Sequence, residues 1–215
     1  MDQKEIQNIR NEYLSASLSE ADTDNNPVKQ FEKWFNEALK AETHEPTAMT
    51  LATATPDGRP SARIVLLKGF DQNGFVFYTN YLSRKGKELA KNPLGSLLFF
   101  WGTLERQVRI EGTIEKVSKE NSIEYFHSRP RASQLGAVIS PQSQEIPGRE
   151  LLEKKFAEAE TEYTEKDIPK PSYWGGYILK PRLIEFWQGR SSRLHDRILY
   201  KKIDNQAWKK VRLAP

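Results

Sequence analysis

Residues 188–197 read Gln188-Gly189-Arg190-Ser191-Ser192-Arg193-Leu194-His195-Asp196-Arg197, with three arginines and one of the chain's 3 histidines. Guanidinium groups are permanently charged planar donors suited to phosphate or carboxylate. If the segment is extended, Arg193 and His195 share a side and face one pocket, and Arg197 follows them. Trp187, just upstream, can cover a flat aromatic ligand. A charged hairpin tip would have the same composition.

Three further basic clusters precede it. In Arg63-Ile64-Val65-Leu66-Leu67-Lys68 the cations are five apart, so a regular strand puts them on opposite faces; two solvated strand ends would look alike. Ser83-Arg84-Lys85 opens a helix, where free backbone N–H groups and the helix dipole favour an anion. Cations at that end are mildly unfavourable without an anionic partner. Tyr125, Arg129 and Ser133 are each four apart, a spacing that aligns them on a helix, although Pro130 breaks or kinks it. A phenol, a guanidinium and a hydroxyl suit a phosphate; an ordinary polar helix end would carry the same residues. Separate clusters imply more than one phosphate.

Other chemistries are less well supported. His44, His127 and His195 are scattered, and there is no cysteine, so no metal-ligand spacing or disulfide framework appears. Neither a dinucleotide fingerprint nor a Walker loop is present, and nothing marks a nucleophile elbow. No apolar run approaches the roughly 20 residues of a membrane helix, and the N-terminus has no apolar signal core. The expectation is a soluble cytoplasmic protein. Residues 1–26 carry two basic and six acidic side chains, and residues 180–215 ten basic and three acidic. The basic residues alternate with strand formers, which favours a small anion over nucleic acid.

The elements that must position these groups follow from periodicity. Residues 1–26 read as a flexible arm, and residues 27–215 as a single domain. Asn26-Pro27 caps a helix whose Val28, Phe31, Trp34, Phe35, Ala38 and Leu39 form one apolar face. Strands are expected at 48–53, 61–67, 75–79, 96–101 and 107–117, with a helix at 83–91 inserted among them. Helices follow at 119–128 and 148–165, separated by an exposed loop around residues 140–144. Strands return at 173–179, 183–187, 197–202 and 208–213. The fold class is mainly β with flanking helices (α+β), as a barrel or sandwich.

Several stretches, ordered and dispersed along the chain, resemble the pyridoxamine 5′-phosphate oxidase family. They are Arg63 to Lys68, Phe77-Tyr78-Thr79-Asn80, Ser83 to Lys85, Thr103-Leu104-Glu105-Arg106-Gln107-Val108, Tyr125 to Pro130, Ile184 to Gly189, Arg193 to Arg197 and Arg212-Leu213-Ala214-Pro215. The resemblance implies a split β-barrel and a homodimer with FMN at the subunit interface. It implies oxidation of pyridoxamine or pyridoxine 5′-phosphate to pyridoxal 5′-phosphate, with O2 reduced to H2O2. Carried over by position, Arg63, Ile64, Val65, Leu66, Leu67, Lys68, Tyr78, Thr79, Arg84, Lys85, Gln107, Gln142, Ser143, Trp187 and Arg197 contact FMN; Arg63, Arg84 and Lys85 meet its phosphate. Lys68, Tyr125, Arg129 and Ser133 hold the substrate phosphate. Arg193, Leu194 and His195 lie against the substrate ring, and Arg10 and Tyr13 belong to a lid. Glu45 stands where the resemblance leads one to expect Asp, and it is given no role.

In that scheme Arg193, His195 and Arg197 are the catalytic set, with flavin carrying the hard step. Two other readings remain open on sequence: a flavin split-barrel protein with another substrate, and a nucleic-acid-binding protein using the basic C-terminal region.

Overall fold

The structure is a computed structural model that describes residues 2, 13, 16–41, 44–204 and 207–215. Helix α1 (Pro27–Lys40) starts as its sequence dictates: the Asn26 side chain accepts from the N–H groups of Val28 (2.9 Å) and Lys29 (3.4 Å), and Pro27 takes the first helical position. Its Phe31, Trp34 and Ala38 are buried.

The remaining elements, in chain order, are β1 (Ala48–Ala54), β2 (Pro60–Leu66), β3 (Gly69–Asp71), β4 (Gly74–Asn80), α2 (Arg84–Lys91), β5 (Leu94–Trp101), β6 (Arg106–Lys116), α3 (Lys119–Ser128), α4 (Arg131–Ile139), α5 (Arg149–Glu162), β7 (Trp174–Gln188), β8 (Asp196–Lys202) and β9 (Trp208–Leu213). The strand order is β2-β1-β5-β6-β7-β4-β3, with β8 paired to β7 and β9 to β8. The chain is mainly β with flanking helices, as its periodicity suggested.

It divides into two compact units. The first comprises Met1–Met49, Leu97–Glu111 and Pro181–Pro215. Here Phe31 packs on Phe99 (ring centroids 5.1 Å apart) and Trp34 meets Phe186 edge-on at 5.2 Å. Each fully buried ring of this size is worth about 2–3 kcal/mol. Antiparallel pairing sets Trp187 opposite Arg197, and Arg197 opposite Leu213. The arm is fastened here too: Leu18 N–H donates to Asp196 (3.0 Å), Tyr200 Oη to the Asp24 carbonyl (2.6 Å), and Lys210 Nζ to the Glu20 carbonyl (2.6 Å).

The second unit comprises Thr50–Ser96 and Gly112–Lys180. Its helical side buries Phe126, Leu135, Ala159, Ile168 and Trp174. Strand β4 pairs antiparallel with the start of β7, Tyr78 opposite Gly176 and Thr79 opposite Gly175. Bare backbone is needed there, because a Cβ on Gly176 would lie 2.7 Å from the Tyr78 ring.

Three local expectations change. The short strand β3 was not foreseen; it extends the pairing that Lys68 N–H begins with the Val76 carbonyl (2.8 Å). Residues 173–179 and 183–187 are one strand, β7, not two. On one edge its partner changes at Pro181, from β4 to β8, so the missing proline N–H falls at a gap between those two ladders. Pro130 ends α3 but also caps α4, a helix absent from the sequence reading; Ser133 N–H and Gln134 N–H both return to the Pro130 carbonyl.

Helix α2 is seated against its own entry loop through Gly86, where a Cβ would lie 2.2 Å from the Tyr81 carbonyl oxygen. Gly86→Ala must push the helix off that backbone. The expected loss is about 2 kcal/mol, read as a lower urea midpoint at unchanged slope.

Candidate functional site

In the second unit a cavity of about 440 Å³ is lined by Ile64, Val65, Leu66, Lys68, Tyr78, Thr79, Lys85, Tyr125, Arg129, Pro130, Ser133, Gln142 and Trp174. Strand alternation explains one wall. Ile64, Leu66 and Lys68 are exposed on one face of β2 and its extension; Arg63 turns to the other, where half-buried Val65 also borders the cavity.

Lys85, on the first turn of α2, is buried at 8% exposure. Its Nζ donates to Gln142 Oε1 (3.0 Å), Thr79 Oγ1 (3.2 Å) and Ser83 Oγ (3.4 Å), all uncharged oxygens. Burial, and then the neighbouring Arg63 charge, push its ammonium below the usual lysine range against the pull of Glu88. Arg129 is similar. Its guanidinium lies over Trp174 at 4.6 Å, its Nη1 is buried without a hydrogen-bond partner, and it forms no ion pair among the described residues. Burial lowers its pKa, with Tyr125 opposing. Tyr78 and Tyr125 stack at 3.9 Å beside it, with Tyr78 5.5 Å from Trp174. A buried lysine and a half-buried arginine, neither in an ion pair among the described residues, can accept two anionic groups in one cavity.

Arg63 and Arg84, by contrast, are already compensated. Glu88 accepts from Arg84 Nε (2.9 Å), Arg63 Nη2 (3.5 Å), Ser61 Oγ (2.6 Å) and Thr53 Oγ1. Arg63, Leu67, Arg84 and Ser143 belong to the same unit but do not line the cavity. Ser143 sits in the left-handed region at φ 69°.

In the first unit, the residues after β7 do not run extended. A short 3-10 turn occupies Ser191–Arg193, and Ser192 (φ 55°) and Arg193 (φ 60°) are left-handed. The expectation that simple alternation aims Arg193 and His195 together is therefore replaced by a tight loop. His195 packs on Trp187 (4.6 Å) and Tyr13 (5.7 Å), and Tyr13 also meets Trp187 edge-on at 5.7 Å. Gly189 leaves room for this, since a Cβ there would be 2.7 Å from the Tyr13 ring. The Arg190 N–H donates to His195 Nδ1 (3.1 Å), which places the ring proton on Nε2. Arg193 and Leu194 are exposed. Arg197 is held by Glu185 at 2.8 and 3.1 Å, and Glu185, 2% exposed, also accepts from Arg109 at 2.6 Å. Gln107 lies half-buried on β6. Arg10 lies outside the described residues.

The match to protein families decides the identity. Residues 35–163 match the model described as pyridoxamine 5′-phosphate oxidase, and residues 174–215 match the pyridoxine 5′-phosphate oxidase C-terminal dimerisation region. The chain belongs to the pyridoxamine 5′-phosphate oxidase family. A pyridoxine/pyridoxamine 5′-phosphate oxidase from Leptospira interrogans is 56% identical, with each chain covered in full (100%). The crystal structure of PhzG from Burkholderia lata 383, in complex with tetrahydrophenazine-1-carboxylic acid, superposes with a TM-score of 0.87 at 32% identity, covering 94% of this chain and 100% of that one. A pyridoxamine 5′-phosphate oxidase-related, FMN binding protein from Nostoc punctiforme shares the fold at a TM-score of 0.73 and 20% identity, over 93% of this chain and 100% of that one. The fold is the split barrel of this family.

Trp174, Thr53, Ser61 and Glu88 were not singled out from sequence, and Pro130 was read only as a helix breaker. The spacing of Arg84 and Glu88, an ordinary i,i+4 helix pair, was the one available signal. Burial alone would push the Glu88 carboxyl up. Hydrogen bonds from Ser61, Thr53 and Arg84, and the Arg63 charge, reverse this and hold it at about 2, down from 4.5. Ionised Glu88 therefore stabilises the fold fully above pH 4.5, and that contribution disappears as pH falls toward 2. Glu88→Gln is expected to lower the urea midpoint at neutral pH, and its gap to the parent should close as pH drops below 4.5. A gap that stays constant with pH would assign the loss to packing.

Proposed function

We propose that this chain is an FMN-dependent enzyme that oxidises pyridoxamine 5′-phosphate and pyridoxine 5′-phosphate to pyridoxal 5′-phosphate, with O2 giving H2O2. The carrying observation is that buried Lys85 and half-buried Arg129, neither in an ion pair among the described residues, line one cavity. Cofactor and substrate each bring a phosphate, so this reading needs two such sockets.

The residues present fit the flavin. Lys85 and Thr79, with Arg84 and Arg63 behind them, hold its phosphate; Gln142 and Ser143 contribute from the loop after α4. Residues 64–68 and Tyr78 line its ring system, and Gln107, Trp187 and Arg197 complete its surroundings at a homodimer interface. The matched dimerisation region supports that assembly. When bound, FMN would supply the two-electron acceptor for oxidation at the substrate C4′ carbon, with O2 as the final acceptor.

The chain's own groups bind, orient and shield. Arg129, with Ser133, Tyr125 and Lys68, grips the substrate phosphate through charge-assisted hydrogen bonds. Arg193 and Leu194 lie against the pyridine ring, and Arg193 favours its productive protonation state. His195 offers the Nε2 proton as a hydrogen-bond donor and serves as an orienter. Arg197, fixed by its two-point contact with Glu185, places positive charge where electron density accumulates. Residues 1–26 act as an arm over the substrate, with Arg10 and Tyr13 as the covering residues; the Tyr13 contacts with Trp187 and His195 support this. Positioning supplies much of the rate.

Purified protein should be yellow, and anaerobic pyridoxamine 5′-phosphate should bleach its flavin absorbance. A colourless protein whose nucleic-acid binding falls steeply with salt would overturn the reading. Arg193→Leu is expected to cut turnover about a hundredfold with flavin retained, and unchanged turnover would remove Arg193 from its role. Peroxide release with pyridoxine 5′-phosphate, compared with the unphosphorylated alcohol, separates this activity from that of a split-barrel flavoprotein acting on another substrate.

A further inference from the structure

The sequence reading gave the flavin phosphate to Arg63, Arg84 and Lys85 and gave nothing to the carboxylate among them. We propose that Glu88 is a positioning residue that sets the Arg63 guanidinium and, through it, makes the site select a phosphorylated flavin over the unphosphorylated one. The inference rests on the FMN reading above.

The geometry is that of an acceptor hub. Ionised Glu88 can only accept hydrogen bonds. The Ser61 hydroxyl gives its single proton to Glu88 Oε2 (2.6 Å), and the Thr53 hydroxyl does the same. Each hydroxyl then has only lone pairs left to offer. Those lone pairs receive Arg63: Nη1 donates to Thr53 Oγ1 and to the Leu51 carbonyl (3.3 Å), and Nη2 to Ser61 Oγ and Glu88 Oε2 (3.5 Å). All four contacts engage the two Nη nitrogens. Nε–H is the guanidinium donor without a partner among the described residues. Glu88 Oε1 meanwhile fixes Arg84 through its Nε (2.9 Å), leaving that guanidinium's Nη groups free of ion pairs among the described residues.

Charge points the same way. Arg63, Arg84 and Lys85 carry three positive charges and Glu88 one negative, which leaves a net charge equal and opposite to a phosphate dianion. Replacing Glu88 with glutamine puts an N–H donor among groups that are already donors. The two hydroxyls lose their fixed direction, and the Arg63 fork loses its acceptors.

The test is titration of flavin-free protein with FMN and with riboflavin, followed by quenching of flavin fluorescence. Parent protein should prefer FMN strongly. In Glu88→Gln the FMN affinity should fall about tenfold or more, with riboflavin affinity little changed. In an Arg63→Met background the same change should have no further effect on FMN, because the hub then has no guanidinium to hold. A purely structural role would weaken both flavins alike and would add to Arg63→Met. If Glu88→Gln does not fold, Ser61→Ala keeps the carboxylate and removes one relay, and the FMN-to-riboflavin preference should fall about threefold. An unchanged or increased preference in the soluble variant overturns the role of Glu88. Parent protein that binds neither flavin would instead overturn the FMN reading itself.

Discussion

A buried cation without a counter-ion is the constraint on which the site depends. Taking an ammonium or guanidinium out of water costs several kcal/mol unless something negative meets it. Among the described residues, partly buried arginines are compensated as Arg106 with Glu37, Arg197 and Arg109 with Glu185, and Arg63 with Glu88, which also takes the exposed Arg84. Lys85 and Arg129 stand apart. The first is surrounded by neutral oxygens, and the second by aromatic faces. Both are tolerable in the fold because their surroundings are rigid. Thr79 is held in the β4–β7 ladder, and Trp174 is packed with Phe126 in the helical core. Sequence thus builds strands and helices, those elements fix two cations, and the cations determine what kind of ligand fits.

Much of this was legible beforehand. Asn26-Pro27 announced α1 because its cap chemistry is local. Alternation located most strands, since one face of each is buried. The clusters at 63–68, 83–85 and 125–133 read correctly as basic because charge is a property of residue type. What could not be read was the partner of each charge. Glu88 looked like one half of a surface helix pair with Arg84, and only the fold brings Thr53 and Ser61, from β1 and β2, against it. Trp174 was an aromatic at the start of a strand, with nothing local to show that Arg129 lies on its face. Pro130 has two opposite local meanings, and the choice between ending a helix and starting one is tertiary. The left-handed backbone at Ser192 and Arg193 is also invisible in sequence, because neither residue favours it.

The site chemistry is divided between kinds of backbone. The cavity residues stand on regular elements, where neighbours lock their rotamers. Arg193 and His195 stand on a short loop, and the loop gains definition from a main-chain donor, the Arg190 N–H, bonded to the histidine ring. That division suits the proposed tasks: sockets for phosphate would need fixed geometry, and groups meeting an exchanging substrate ring would need access.

The fastening of residues 18–24 has a consequence for the arm as a machine part. Asp196, Tyr200, Lys210 and Arg212 hold this stretch by backbone and side-chain bonds. Tyr13 is therefore tethered five residues from Leu18, a fixed point. A tether that short gives its ring an effective concentration in the millimolar range or above. On the proposed covering role of Tyr13, closure would need only a feeble attraction, of the size an edge-on ring contact supplies, and opening only its loss. If Tyr13 covers the substrate as proposed, it can do so quickly without a strong latch.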